Sequence, residues 1–392
     1  HPVQKVNRRM KVFIVTPIPS PYRIPLFNKL ATECRKRKWS LKVVFLNPGY
    51  RRRKWTVDSS IFEFDHVMLD NVNISRGESY FSPAFTLPRA LLRERPDRVI
   101  VGGFSTAALW VYLYSMLYSV PFCIWSGETD AEEMLRAGRN LRRLFRKVLI
   151  RRASVFIAYG SMAKMYLEGM GVHSGKISIG ANTVDTAFMR QETERLRPGR
   201  KVWLDEHRLP ALNLLFVGYL EERKGVRQVL EAFQYVRNAL PAGSVALHIV
   251  GSGTQEPTLK SLVEQKGIQG VHFWGYRQQW ELPQFFSIAD LLVFSSLNEL
   301  YGLVPIEAMA AGVPVLSSKY AGSTVDLIQH GKNGFVIDPL DTEGMAETVI
   351  QLLKDESLRK SMSEKASETI AASFSIGKSA EGFIEAIVRM GD

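Results

Sequence analysis

The chain has 392 residues, is 46% hydrophobic and 23% charged, and carries a formal net charge of +12. These proportions exclude a disordered or low-complexity protein, and the length exceeds one ordinary core, so two domains are expected. Two cysteines, Cys34 and Cys123, exclude a disulfide framework and fit a reducing cytoplasm.

In chain order, residues 1–9 are polar and read as a flexible start, with no signal peptide visible. MKVFIVTP is an apolar strand ending in a Pro-rich loop, PIPSPYR. A helix (IPLFNKLATECRKR) and a second strand (LKVVFLN) follow. The longest candidate apolar run, Ala107 to Trp125, is broken by Pro121 and dotted with Ser and Tyr. It reads as a buried helix followed by a strand, not as a membrane span. RPDRVIVGG, VPFCIWSG, SVFIAYG and KISIGAN complete a set of strands at α/β spacing, the pattern of a parallel doubly wound sheet.

QETERLRPGRKVWLDEHRLPA is polar, lacks a clear strand and is expected to serve as a crossing region. The pattern then restarts: LNLLFVG, VALHIVGSG, VHFWGY, ADLLVFSS, VPVLSS and GFVI are strand-like. DTEGMAETVIQLLKD and the tail FSIGKSAEGFIEAIVRM have helical apolar spacing. The expected division is 1–185, 186–370 and a final helical segment, 371–392.

The most informative stretch is NELYGLVPIEAMAAGVPVLSSKYAGSTVDLIQHGKNGFVI. Glu299 and Glu307 stand eight positions apart. Gly302 allows close backbone approach, and Pro305 suits the first turn of a helix running from Val304 or Pro305 to Ala311. Such a start, at Gly302, Leu303 and Val304, is an anion site fit for a diphosphate. Glu307 is placed to accept hydrogen bonds from a ribose, and Glu299 to reach a sugar. Two acids alone also fit solvated helix charges.

This block resembles the donor-site signature of retaining GT-B glycosyltransferases, family four in the usual classification (glycosyl transferases group 1). The likeness includes PIEAMAAGVPV and GKNGFVI as well as the two acids. It implies two Rossmann-like domains facing a central cleft, an N-terminal acceptor domain, a C-terminal nucleotide-sugar domain, and a last helix that crosses back to the first domain. It also implies transfer of a hexose-type sugar from a nucleotide diphosphate sugar with retention, by front-side attack, and without a bound metal or other cofactor.

By the same resemblance, VGYLEERKG carries the phosphate cations. The family start is Gly-Arg-Leu, whereas here Gly218 is followed by Tyr219 and Leu220, so Lys224 is the surer cation and Arg223 the substitute. Gly251 and Gly253 match a glycine turn near the nucleotide. Backbone groups at Tyr276 and Arg277 are candidate base readers, with Leu282 as an apolar contact. Gly322 fits either a donor-site turn or a plain one.

On the acceptor side, Tyr22 and Arg23 stand where relatives carry a glycine pair, and Gly102-Gly103-Phe104-Ser105 is a second candidate loop. Many relatives place a histidine after the strand FCIWSG. Here Glu128 is the candidate to orient an acceptor hydroxyl, and it fits a helix N-terminus equally well. The seven histidines show no metal-ligand spacing.

Charge is asymmetric. Residues 1–185 hold 30 basic and 14 acidic residues, a net +16, against a net −4 for the remainder. RAGRNLRRLFRKVLIRR (136–152) has eight basic residues and no acid. Leu141, Leu144, Phe145, Val148 and Leu149 fall at helical spacing within it, which fits equally a helix lying on a membrane surface and a helix packed on its own core with a solvated outer face. RKRK (35–38) and RRRKW (51–55) add to the same half. The expectation is a peripheral enzyme on the inner, anionic face of the cytoplasmic membrane, with a lipid-linked or polysaccharide acceptor. The rivals are a sugar-nucleotide epimerase of GT-B fold and a charge-driven polyanion-binding protein. No nucleic-acid fold signature is present.

Overall fold

In a computed structural model the chain is described over residues 9–49, 54–72, 74–76, 79–130 and 139–391. The expected flexible start (1–8), residues 51–53 of the RRRKW run and the first three residues of the basic stretch (136–138) lie outside these.

The chain divides into two compact units, 1–182 with 376–392, and 183–375. In the first, β1 (Lys11–Thr16), β2 (Ser40–Phe45), β3 (Asp65–Met68), β6 (Arg98–Gly102), β7 (Phe122–Ser126), β8 (Val155–Ala158) and β9 (Ile177–Ile179) form one parallel sheet. Its order is β3-β2-β1-β6-β7-β8-β9. β4 (Ile74–Arg76) and β5 (Ser79–Phe81) pair as a separate antiparallel hairpin. Central strands such as Val12–Val15 and Val99–Val101 are buried and apolar on both faces, as a sheet covered by helices on each side requires. Helices Ile24–Lys36 and Ile376–Arg389 contribute to one core. Leu87–Glu94 and Thr106–Tyr118 contribute to the other. The final helix returns to the first unit through Ala380, Phe383 and Ile387, and Ser379 donates to the Ala181 carbonyl at 2.7 Å.

The second unit holds β10 (Leu212–Val217), β11 (Val245–Val250), β12 (Val271–Gly275), β13 (Leu291–Phe294), β14 (Val315–Ser318) and β15 (Phe335–Ile337), all parallel. Their order is β12-β11-β10-β13-β14-β15. Helices Val226–Ala239 and Thr342–Lys354 cover one face through Val229, Phe233, Met345 and Val349. Order reverses between β10 and β13. In such sheets a ligand binds at the carboxyl ends of the strands flanking that reversal.

Two expectations change. The polar crossing region is helical, over Thr186–Leu196 and Arg200–Glu206. It is built into the second unit by buried Met189, Thr193 and Leu204. Its sparse apolar positions hid a helix that needs only a narrow stripe. The apolar face of the basic helix Arg139–Arg152 is also split between core and solvent. Phe145 and Leu149 pack into the core, whereas Leu141, Leu144 and Val148 are exposed.

Candidate functional site

The reversal point of the second unit gathers the charged residues. After β10 the chain makes a short turn, Glu222–Lys224, before helix Val226–Ala239. After β13 it runs out to Glu299. Ser295 Oγ donates to the Lys224 carbonyl at 3.0 Å, and the Leu297 amide donates to the Arg223 carbonyl at 2.8 Å, so the two loops are fastened together. Lys224 Nζ then pairs with Glu299 Oε2. Arg223 reaches the same oxygen with Nη1 at 3.4 Å and holds Glu221 with Nε at 3.0 Å. Two cations and two carboxylates thus balance, all largely removed from water.

Burial alone pushes the Glu299 carboxyl up, but Lys224 and Arg223 outweigh it and hold the group below the usual carboxylate range. Burial lowers the Lys224 ammonium from its ordinary value, with Glu299 opposing. The pair is ionised because each charge is the other's replacement for water.

The loops after β10, β11 and β12 interlock. Gly218 N donates to the Val250 carbonyl at 2.9 Å, Leu220 N to Ser252 at 3.1 Å and Gly251 N to Gly275 at 2.8 Å. At Gly251, φ is +148° and a Cβ would lie 1.8 Å from the Gly218 carbonyl oxygen. This glycine is therefore demanded by its own backbone neighbour. Gly253 likewise lies against the Leu220 backbone. Gly302 has φ +94° and fits against the Phe294 ring, 2.7 Å from where a Cβ would sit. The turn at Tyr320–Ser323 is tied to the same segment: Gly322 N donates to the Glu299 carbonyl at 3.1 Å and Ser323 N to Tyr301 at 2.9 Å.

The helix after Gly302 spans Val304–Ala310, with Leu303 as its cap and Pro305 in the first turn. It has only seven residues, so its dipole is short, and Lys224 and Arg223 are the cations nearest the turn. Glu307 is buried within it, 6% exposed. Burial raises its carboxyl from 4.5 to about 7, against a hydrogen bond from the Gln279 side chain. Gln279 belongs to the turn Gln279–Glu281, where Gln278 and Glu281 form a reciprocal cap. Arg277 reaches Glu281 at 3.4 Å, Tyr276 OH lies 3.5 Å from Gln278, and Leu282 is 8% exposed at the start of helix Leu282–Ile288.

In the first unit, Glu128 and Arg23 stand at the carboxyl edge of the sheet. Glu128 Oε2 pairs with Arg146 at 3.0 Å, and Arg146 also donates to the Tyr166 hydroxyl and lies 5.5 Å from the Phe104 ring centre. Arg146 is 4% exposed. Neither sequence reading of Glu128 included this buried pair. Arg23 donates to Thr16 Oγ1 at 3.0 Å and Tyr159 OH at 2.7 Å, and lies 4.4 Å over Trp125. Tyr22 meets Trp55 edge-on at 6.2 Å.

Sequence reasoning missed Glu221, Gln279 and Arg146. Glu221 lies inside a motif already noted, two residues before Arg223. Arg146 is one of eight basic residues in its stretch, and only burial distinguishes it. Nothing in RQQWE marks Gln279.

Residues 207–369 match the family model for glycosyl transferases group 1. That segment is similar to the glycosyl transferases group 1 family. It carries Lys224, Glu299 and Glu307, so the family match falls on the charged cluster itself. Over the whole chain, the structure of Anabaena Alr3699/HepE in complex with UDP aligns with a TM-score of 0.75 at 18% identity, covering 97% of this chain and 99% of that one. Together with the two parallel Rossmann-like sheets, this places the fold in the GT-B class. Among curated proteins, N-acetyl-alpha-D-glucosaminyl L-malate synthase of Bacillus anthracis is 35% identical over 162 residues, 41% of each chain. The lipopolysaccharide core biosynthesis glycosyltransferase LpsE of Rhizobium meliloti is 32% identical over 182 residues, 45% of this chain and 51% of that one. The chain thus spans about half, or less, of the curated relatives it matches.

Proposed function

We propose that the protein is a retaining glycosyltransferase. It transfers a hexose-type sugar from a nucleotide diphosphate sugar to a hydroxyl of a lipid-linked or polysaccharide acceptor, with no metal required. The observation that carries this reading is the Lys224–Glu299–Arg223 cluster at the sheet reversal, beside Glu307, inside the group 1 segment.

Lys224 and Arg223 offer fixed cationic donors to the diphosphate, where charge develops as the anomeric C–O bond breaks. Glu299 orients the sugar, and Glu307 accepts from ribose hydroxyls. The acceptor oxygen bonds to the anomeric carbon on the face the diphosphate leaves, and its proton passes to a departing phosphate oxygen. Glu128, held by Arg146, orients the acceptor hydroxyl. The backbone at Gly218, Gly251, Gly253, Gly302, Leu303 and Val304 shapes the donor loops, and Tyr276, Arg277 and Leu282 frame the base.

Peripheral attachment to the inner face of an anionic membrane is part of the reading. Leu141 and Leu144 are 75% and 60% exposed beside exposed Arg142 and Arg143, and attraction to such a surface is worth about 1 kcal/mol per basic residue. Among the described residues no helix is long and apolar enough to cross a membrane. The LpsE relative's name supports an acceptor of the surface-glycan kind.

The test is thermal stabilisation by UDP, GDP, ADP and their sugars. A ligand at 100 times its Kd adds about 2.7 kcal/mol. One nucleotide shifting the midpoint, with the shift lost in Glu307→Ala, supports the donor site and names the base. No shift from any of them overturns it. Sugar-nucleotide turnover without any acceptor would favour an epimerase instead.

A further inference from the structure

The first unit has a second recess, on the edge of its sheet opposite Arg23 and Glu128. It lies where helix Arg139–Arg152 leads into β8 and where the loop after helix Ser161–Gly169 leads into β9, both at the amino ends of the strands. The recess encloses about 450 Å³, within the range of small-molecule sites. Its floor is apolar, formed by Phe156, Met170 and Val172. Its rim carries Lys147, Arg151, Lys176 and His173.

Three features make this rim more than a solvated face. Lys147 and Arg151 are one helical turn apart, and Lys176 closes on them from a different segment, so the cations converge from two elements. Among the described residues none of the three side chains makes a hydrogen bond or an ion pair, although ion pairs are frequent elsewhere on this surface. The second segment is also braced. His173 Nδ1 accepts from the Gly175 amide at 3.1 Å, which leaves Nε2 to carry the ring proton as a donor, and Arg389 donates to the Gly175 carbonyl at 3.1 Å.

We propose that this recess binds a phosphate monoester. Its phosphoryl oxygens lie between Lys147, Arg151 and Lys176, with His173 as a further donor, and its organic portion rests on Met170, Val172 and Phe156. Three convergent cations match a dianion with three acceptor oxygens better than a single carboxylate. The apolar floor of Phe156, Met170 and Val172 gives the ester's organic portion a surface to cover. The same chemistry is offered by a soluble phosphate ester and by a phosphate-headed lipid.

The experiment titrates the full chain with glycerol 3-phosphate, and separately with phosphatidylcholine vesicles containing phosphatidic acid or phosphatidylglycerol. Lys147→Gln/Lys176→Gln is expected to weaken glycerol 3-phosphate binding about tenfold or more. Arg142→Gln/Arg143→Gln, which removes equal charge from the same helix outside the recess, should weaken it less than about twofold. If only vesicles are bound, a preference for phosphatidic acid that disappears in the Lys147/Lys176 variant assigns the site to the lipid source. Equal losses from the two double variants with glycerol 3-phosphate, or no response to either probe, would overturn the proposal. Melting temperature and nucleotide response on the same samples keep this result separate from that of the donor site in the second unit.

Discussion

Lys224 and Glu299 are 75 residues apart in sequence, yet their side chains pair at the carboxyl ends of two adjacent strands. The pair is a consequence of sheet order. β10 and β13 are neighbours only because the connection reverses between them, so the loop that follows each ends beside the other.

Each partner is mostly buried, so removing one leaves an uncompensated charge that Arg223 or Glu221 relieves only in part. Lys224→Met and Glu299→Gln should each lower stability, by up to about 3 kcal/mol. The double variant should recover most of that loss. If Lys224 is the phosphate cation of the proposed mechanism, turnover should not recover, and its removal is expected to cost about 10² to 10³ in kcat. Urea unfolding and turnover of the three variants separate the two contributions. If the double variant regains turnover, the pair is only structural.

Glu307 gives a pH dependence of definite sign. Burial raises its carboxyl from 4.5 to about 7, so the unliganded folded chain retains a proton that the unfolded chain has released between those values. Its contribution to stability is therefore complete below about pH 4.5 and is lost as pH rises to about 7, an upper limit of about 3 kcal/mol. Glu307→Gln should remove that loss, so the variant gains on the wild type across this interval and levels off above it. A nucleotide whose ribose hydroxyls donate to the carboxylate must expel the proton. Calorimetry near pH 6.5 in buffers of different ionisation heat should show proton release that is absent in Glu307→Gln. Release persisting unchanged in the variant would remove Glu307 from the ribose contact.

What the sequence could and could not carry follows from these residues. Glu307, Gly302 and the helix at Val304 were legible because a buried strand, a glycine turn and a Pro-started helix all leave local marks. The convergence of Lys224 on Glu299 is a property of topology, and no local pattern encodes it. β3 and the β4–β5 hairpin were not read. β3 (DHVM) is mostly exposed and lacks the apolar run that revealed the central strands. The helices at 186–206 were hidden by polarity. Arg146 was hidden among its basic neighbours, because only burial separates a structural guanidinium from a solvated one.

Arg146 and Glu128 form the counterpart pair in the first unit, and there the guanidinium is the deeper group, at 4% exposure. Its supports also include the Tyr166 hydroxyl and the faces of Phe104 and Tyr166. Glu128→Gln keeps the shape but removes this carboxylate from the buried guanidinium, a loss of up to about 3 kcal/mol. Arg146→Met should lose less than Arg146→Ala, because the long apolar side chain keeps the ring contacts filled. In the double variant Arg146→Met/Glu128→Gln the charge imbalance is gone and unfolding midpoints should approach the wild type. If Glu128 orients the acceptor, KM for the acceptor stays raised in that double variant while the donor's KM does not change. Acceptor and donor constants that both return to wild type would make Glu128 a purely structural partner of Arg146.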